Sequence, residues 1–414
     1  MAEEARQIQN LRRVLDITRQ MAAKVDLAQL LQTIVDATCE VLACERATIF
    51  LYDKATDELH SRVATGVKSI RFPADRGIAG AAAKQRAVVN VPDAYSDPRF
   101  NPEIDKKTGF RTRNLLTFPL ENQAGELMGV LQALNKTAGP FTAEDEDLAR
   151  VLSAQAGVAL HRHALLEEYA EKRRMARDLE LARKIQQQLF PRSNPSVNGY
   201  EVAGWNRCAD ETGGDCYDFI ALDDGRTAIL LADATGHGIG AALVIAQCRS
   251  IVRAMLSVTQ DLATVSSRVN RLLAHDLTED RFVTAFIGIL DATQHRIDYI
   301  AAGQAPLLFV TAGGVESRCA GGLPFAISDE VGAAPQHFEF ATGDVLALLT
   351  DGFYEAASPT GELFGEERVA EVIRRSADLP LEGLIDRLHT EIRRFSQGAP
   401  QADDLTAVFV RRIP

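Results

Sequence analysis

The sequence predicts an α+β chain: one α+β domain, a single connecting helix, and a second domain of paired β-sheets with helices outside. Three observations carry this. Over residues 1–160, helical periodicity gives way to short strands and then returns to helix. Residues 161–190 contain neither Gly nor Pro and read as one helix. From Gly199 onward, strands that are apolar throughout recur with helices between some of them, the pattern of strands buried on both faces.

The elements follow in order. Ile8, Leu11, Leu15 and Thr18, then Leu27, Leu30, Leu31, Ile34 and Val35, recur at helical spacing and predict helix over 5–42. "ATIFLYDKATDELHSRVAT" gives two strands around a polar turn, and "AVVNVPDA" a third. "NLLTFPLENQAGELMGVLQALNK" is a hairpin with Gly125 in its turn, and a helix starts near Ala143. Pro191 and Pro195 stop the connecting helix. Its Leu165, Met175, Leu179, Ala182 and Leu189 fit a heptad seam, interrupted by Glu168, Lys172 and Gln186. The expected organisation is an N-terminal helix (1–24), a first domain (25–160), a linker helix (161–190) and a second domain (191–414).

The 414 residues carry a formal net charge of -12, with 46% hydrophobic and 25% charged residues. That is a globular composition, without the basic face of a nucleic-acid binder. The six cysteines include no CxxC pair, so free thiols in a reducing compartment are expected. The charged N-terminus is unlike a signal peptide, and no apolar run of membrane-spanning length stands out. A cytoplasmic protein with no nucleic-acid or membrane partner is expected.

The stretch "LADATGHGIGAAL" places Asp233 at the end of an apolar strand, before a glycine-rich loop. Gly236, Gly238 and Ala241 fit the spacing of a dinucleotide loop, but no acidic residue follows at the distance a ribose partner needs, and Asp233 would repel a pyrophosphate. Other aspartates also flank buried strands: Asp215 and Asp218 in "GGDCYDF", Asp351 in "ALLTDGF", Asp403 and Asp404 in "QADDLTAVFV". Lone carboxylates there are costly; convergence on divalent cations offsets the cost, and oxygen ligands suit Mg²⁺ or Mn²⁺. A pair of such ions would acidify a shared water for in-line attack on phosphorus.

Six ordered segments, "LARKIQQQLFP", "GGDCYDF", "LADATGHGIGAAL", "YIAAGQAPLLF", "GDVLALLTDGFYEA" and "DDLTAVFVRR", resemble the metal-dependent protein phosphatases, and within them the SpoIIE-like branch that regulates sigma-factor partner switching. The resemblance covers about residues 180–414. It implies an α-β-β-α sandwich, two Mn²⁺ or Mg²⁺ ions, and hydrolysis of phosphoserine or phosphothreonine on a protein. Asp233, Asp351 and Asp403 take the catalytic positions. The metal set is Asp215, Asp218, Asp233, the Ala234 carbonyl, Asp351 and Asp403. Gln304 stands where this branch often has histidine, and Thr235 where serine is usual. His237 is open between a catalytic and a structural role.

In the first domain, Asn135, Lys136, Phe141, Asp145 and Glu146 form the signature of GAF domains of cyclic-nucleotide phosphodiesterases, which the segment 25–160 resembles. Lys136 can pair with Asp145 and tie a strand to the last helix. By position, Thr48, Ile78, Ala79, Asp105, Thr108 and Thr112 match that family's pocket, while Ala64 and Thr65 replace a Phe-Asp pair found in some cGMP binders. The resemblance implies a small-molecule effector, with a cyclic nucleotide as a candidate. Together these expectations describe a dimeric sensor phosphatase acting on a phosphorylated STAS-domain anti-sigma-factor antagonist. A non-catalytic scaffold that binds a phosphoprotein or kinase is the alternative.

Overall fold

Leu30, Leu31, Ile34, Ala37 and Leu42 share one face of helix α1 (Leu27–Leu42), and that face is buried. Asp26 caps the helix by accepting from the Gln29 N–H. The computed structural model describes residues 19–21, 26–63, 70–278, 280–328 and 335–414. Most of the helix expected over 1–24 lies outside the described residues, as do Ala64 and Thr65. The chain divides into two units, one ending at Arg173 and the other beginning at Arg174.

The first unit is built on an antiparallel sheet of β1 (Cys44–Asp53), β2 (Glu58–Val63), β3 (Arg71–Pro73), β4 (Val89–Val91), β5 (Leu115–Glu121) and β6 (Leu127–Lys136), in the order β3-β2-β1-β6-β5-β4. Helix α2 (Gly77–Gln85) and the short α3 (Glu103–Thr108) form the insert between β3 and β5. The two faces of the sheet separate two cores. Ile49, Phe118, Leu131 and Ala133 pack with α1 on one side, while Phe50, Leu115 and Val130 pack with α2 on the other. Helix α4 is one element from Ala143 to Gln187, so the last helix of the first domain and the expected linker are continuous. Its exposed apolar residues include Leu165, Leu166, Tyr169, Met175, Leu181 and Ile185.

The second unit stacks two five-stranded antiparallel sheets. Strands β7 (Tyr200–Arg207), β8 (Asp215–Ala221), β9 (Thr227–Ala234), β10 (Val283–Asp291), β11 (Arg296–Ala302), β12 (Leu307–Thr311), β13 (Gly314–Arg318), β14 (Gln336–Glu339), β15 (Val345–Leu349) and β16 (Leu405–Arg412) are divided between them. The sheet orders are β14-β11-β10-β9-β8 and β13-β12-β15-β16-β7. Helices α5 (Ile239–Leu256) and α6 (Leu262–Asp276) cover the first sheet; α7 (Gly352–Glu355), α8 (Gly365–Arg375) and α9 (Leu381–Phe395) cover the second.

Side chains alternate between layers, as the two-residue period of a strand requires. On β9, Ala228, Leu230 and Ala232 face the helices, while Ile229 and Leu231 face the opposite sheet. On β16, Leu405, Ala407 and Phe409 face helices, and Val408 and Val410 the opposite sheet. This yields an α-β-β-α sandwich with three cores. Contrary to the sequence expectation, α5 is long and apolar enough by composition to cross a membrane. Here its buried side packs on the β8–β9 sheet, and its Arg249 and Arg253 point to Asp218.

Candidate metal centre

The alternation that builds the sandwich also aims the aspartates. Asp215 and Asp233 are directly opposed on β8 and β9. Cys216 and Ala232 face the helices, so both carboxylates point into the space between the sheets. From the other sheet, Thr350 just beyond β15 and Thr406 on β16 reach the same place. Their hydroxyls donate to Asp215 Oδ2 at 2.7 and 2.6 Å. Asp351 follows Thr350, and Asp403 lies two residues before β16. Four strand ends therefore converge at one end of the sandwich.

The electrostatics are those of crowded like charge. Burial is the main cause raising the Asp233 pKa, from 3.8 to about 7, and the charges of Asp351 and Asp403 add to it. Asp215 is pushed well above the carboxylate range by burial and by Asp233. Asp351, solvent-exposed at the rim but partly desolvated by the residues around it, is raised by that desolvation and then by Asp403. A divalent cation is the chemical species that relieves such a cluster. Among the described residues, no three His, Cys, Asp or Glu side chains stand at ligand spacing; the fold sets the convergence, and Asp351 and Asp403 lie exposed at its rim.

The backbone around the cluster fits an ion as well. A Cβ on Gly214 would lie 2.8 Å from the Ala234 carbonyl oxygen and 3.2 Å from that of Gly236. Only glycine lets the two loops approach so closely. Gly236 and Gly238 have φ of 88° and 76°, the left-handed region, and the Gly238 turn opens α5.

Asp218, expected among the metal ligands, faces away from them. It lies three residues from Asp215 on the same strand, hence on the opposite face. There it is 1% exposed, accepts from Arg253 Nε at 2.5 Å, and has Arg249 Nε at 2.9 Å, an ion pair whose angle falls short of a hydrogen bond. Two guanidinium groups occupy it, so it ties α5 to β8 instead of facing the other aspartates.

Asp404, which sequence reasoning left without a role, is also structural. It is buried and accepts the backbone N–H groups of Ala209 and Gly214 at 2.7 and 2.6 Å. Gln186, read from sequence as a polar break in the heptad seam, makes a two-way clamp. Its Nε2 donates to the Gly213 carbonyl at 2.6 Å and its Oε1 accepts the Gly213 N–H at 3.1 Å. Gln304 is buried between sheets, donating to the Leu349 carbonyl at 2.8 Å and accepting from Thr284 at 3.3 Å. Thr235 exchanges hydrogen bonds with the backbone of Phe282. The His237 side chain is 86% exposed and its Nδ1 stands 3.1 Å from Asp210, a bond between two surface loops.

In the first unit, Thr48, Ile78, Ala79, Asp105 and Thr112 line a cavity of about 880 Å³ together with Phe50, Phe72, Phe100, Arg46, Arg76 and Lys107. Thr108 ends α3, and its side chain lies outside the described residues. The Asp105 carboxylate is occupied internally. It accepts from the Thr112 N–H at 2.7 Å, the Thr112 hydroxyl at 2.9 Å and the Tyr95 hydroxyl at 3.1 Å, which fixes the loop after α3. Lys136 Nζ stands 2.5 Å from Asp145 Oδ1, joining β6 to the start of α4. Asn135 holds Glu45, Arg111 and Arg113, and Asn90 bonds both the Phe141 carbonyl and Glu146. The signature residues thus brace the domain.

The sandwich with acidic strand ends is the architecture of a PP2C-type phosphatase domain. Over 58% of this chain it superposes on 98% of the SiaA-PP2C domain of Pseudomonas aeruginosa, with TM-score 0.52 and 21% identity. Residues 223–413 match the family described as Stage II sporulation protein E (SpoIIE), and residues 26–160 the GAF domain. The chain thus joins a GAF domain to a phosphatase domain of the SpoIIE family. A probable 3',5'-cyclic phosphodiesterase, pde-5, of Caenorhabditis elegans is 33% identical over 184 residues, 41% of this chain and 24% of that protein. Protein IcfG of Synechocystis sp. is 28% identical over 268 residues, 57% of this chain and 41% of that protein. The chain spans less than half the length of these curated relatives.

Proposed function

We propose that this chain is a sensor-regulated, Mn²⁺- or Mg²⁺-dependent protein serine/threonine phosphatase. The observation that supports it most is the convergence of Asp215, Asp233, Asp351 and Asp403, from both sheets, at one end of a SpoIIE-family domain. Asp215, Asp233, Asp351, Asp403 and the Ala234 carbonyl would hold the ions. When bound, the ions supply Lewis acidity toward the phosphoryl oxygens and a water acidic enough to attack at neutral pH. The protein supplies the geometry. Thr350 and Thr406 orient Asp215, Asp404 and Gln186 hold the loop that leads into it, and Gln304 ties the end of β15, just before Asp351, to Thr284 on β10, the residue paired with Asp233.

The substrate in this reading is a phosphorylated STAS-domain anti-sigma-factor antagonist. A small-molecule effector, with a cyclic nucleotide as the first candidate, occupies the GAF cavity, whose aromatic and basic lining suits an anionic heterocycle. The protein acts in the cytoplasm as a homodimer, through the exposed apolar residues of α4. The test is phosphate release from phosphorylated STAS-domain proteins with Mn²⁺, with EDTA, and with cAMP or cGMP. Turnover that Mn²⁺ supports and EDTA stops is expected. No turnover on any phosphoprotein or on p-nitrophenyl phosphate would favour a binding scaffold.

A further inference from the structure

The loop after Asp233 runs into helix α5, and the outer side of that junction carries an arginine the metal centre does not use. On β10, Val283, Ala285 and Ile287 face the helices. Arg281, two residues before Val283, continues that face past the open end of the strand. Thr284 pairs with Asp233, and the Thr235 N–H donates to the Phe282 carbonyl at 3.0 Å, so Arg281 stands beside the Gly236 turn.

Gly240, in the first turn of α5, seats this side chain. A Cβ there would lie 2.9 and 3.0 Å from the two terminal nitrogens of Arg281 and 3.3 Å from its Cζ, so the guanidinium lies flat over the glycine. Gly240 is not among the glycines with left-handed backbone; the room it leaves for the guanidinium is what a larger residue would remove. Yet the half-buried Arg281 side chain makes no hydrogen bond or ion pair among the described residues. Its charge reaches Asp280, but that carboxylate accepts the Thr278 hydroxyl at 2.5 Å. Asp215 and Asp233 point to the other side of their sheet, between the layers, and do not pair with it. A seated guanidinium with its donors unmet suits a carboxylate brought from outside. Beside it, Ile239 and Leu243 stand one turn apart on α5, 44% and 67% exposed. A small free anion has no use for that apolar strip, whereas a polypeptide covers both.

We propose, on the phosphatase reading above, that Arg281 with Ile239 and Leu243 docks the phosphoprotein substrate and selects an acidic side chain two or three residues from the phosphorylated serine or threonine. The spacing follows from strand geometry. Arg281 is three residues from Thr284, which lies opposite Asp233, about 10 Å of extended chain. An extended substrate with its phosphoryl group at the aspartates covers that distance in about three residues.

The full chain is assayed on phosphoserine peptides with Asp, Ala or Lys at the second and third positions on either side. Phosphate release with Mn²⁺ gives kcat/KM. Anisotropy of labelled peptides carrying a non-hydrolysable phosphonate gives binding without turnover. The reading is the Asp-to-Lys ratio within each variant, which cancels a general loss of activity or folding. Wild type should favour Asp by about fivefold at one of these positions, the upper range of an exposed ion pair. Arg281→Ala should bring the ratio to one, and Arg281→Glu should invert it in favour of Lys. Leu243→Asp, at an exposed position, should raise KM for all the peptides. A wild-type ratio of one, or a preference for Asp that survives Arg281→Glu, overturns the proposal. No phosphate release from any peptide or from p-nitrophenyl phosphate, with the binding preference intact and inverted by Arg281→Glu, would sink the phosphatase reading and leave the docking site standing.

Discussion

Replacing Asp233 by Asn should make the chelated protein more stable at alkaline pH while removing its response to Mn²⁺. The Asp233 carboxyl is raised from 3.8 to about 7, by burial and then by Asp351 and Asp403. An acid raised in this way holds an extra proton in the folded state between those two values. The folded state therefore loses stability as pH rises from about 4 to about 7. The gap corresponds to about 4 kcal/mol at ~1.4 kcal/mol per pH unit. Repulsion shared with Asp351 and Asp403 is relieved in part by one substitution, so about 2–4 kcal/mol should return above pH 7, or roughly 5–10 °C in Tm. The assay is thermal unfolding at pH 5 and pH 8, in EDTA and in Mn²⁺. Wild type should melt lower at pH 8 than at pH 5 in EDTA and be rescued by Mn²⁺; the Asn variant should show a smaller pH effect and little rescue. An Asn variant that melts lower than wild type at pH 8 in EDTA, yet gains as much from Mn²⁺, would refute the reasoning.

Asp218→Asn should destabilise the fold by about 3 kcal/mol, because it leaves Arg249 and Arg253 without their buried partner; Mn²⁺ affinity at a stabilising temperature should stay near wild type, read by calorimetry. His237→Ala should keep phosphatase turnover within a few-fold, since the exposed ring serves only a loop–loop bond to Asp210; a loss beyond a hundredfold would assign it a chemical role. Gly214→Ala should abolish turnover, because the added carbon meets the Ala234 carbonyl at 2.8 Å, with Mn²⁺-induced stabilisation in a melting assay as the check. Lys136→Met should cost the GAF domain about 1–3 kcal/mol, because it removes the cation beside the buried Asp145 carboxylate while the Thr142 N–H and hydroxyl still hold its other oxygen, followed by denaturant unfolding.

Apolar strands made the second domain legible, because a strand buried on both faces announces itself in composition. The less regular Tyr200–Arg207 did not, since Asn206 and Arg207 stand at the open end of the sandwich. Helix α9 carries Leu381, Leu384, Ile385, Leu388 and Ile392 on its buried face, a periodicity as readable in the sequence as that of its neighbours. The aspartates at strand ends were visible, whereas their partners were not. A carboxylate held by arginines looks the same in sequence as one aimed at an ion. Strand parity nevertheless separates Asp215 from Asp218, and it is the signal that could have found the difference. Asp404 and Gln186 act through backbone groups nearly 200 and nearly 30 residues away in sequence, which no local pattern encodes. In the GAF domain, Asp105 was placed in the pocket by position, and only the fold reveals that Tyr95 and Thr112 hold its oxygens.

Asp215 is rooted in one sheet, while the hydroxyls that hold it belong to the other. The carboxylate is a bolt through the seam. Sliding one layer over its neighbour would strain two buried hydrogen bonds, each worth about 0.5–1.5 kcal/mol. Shear between the two sheets is thus resisted at this corner by bonds that cross from one layer to the other, so its stiffness is a property of whole strands rather than of its loops.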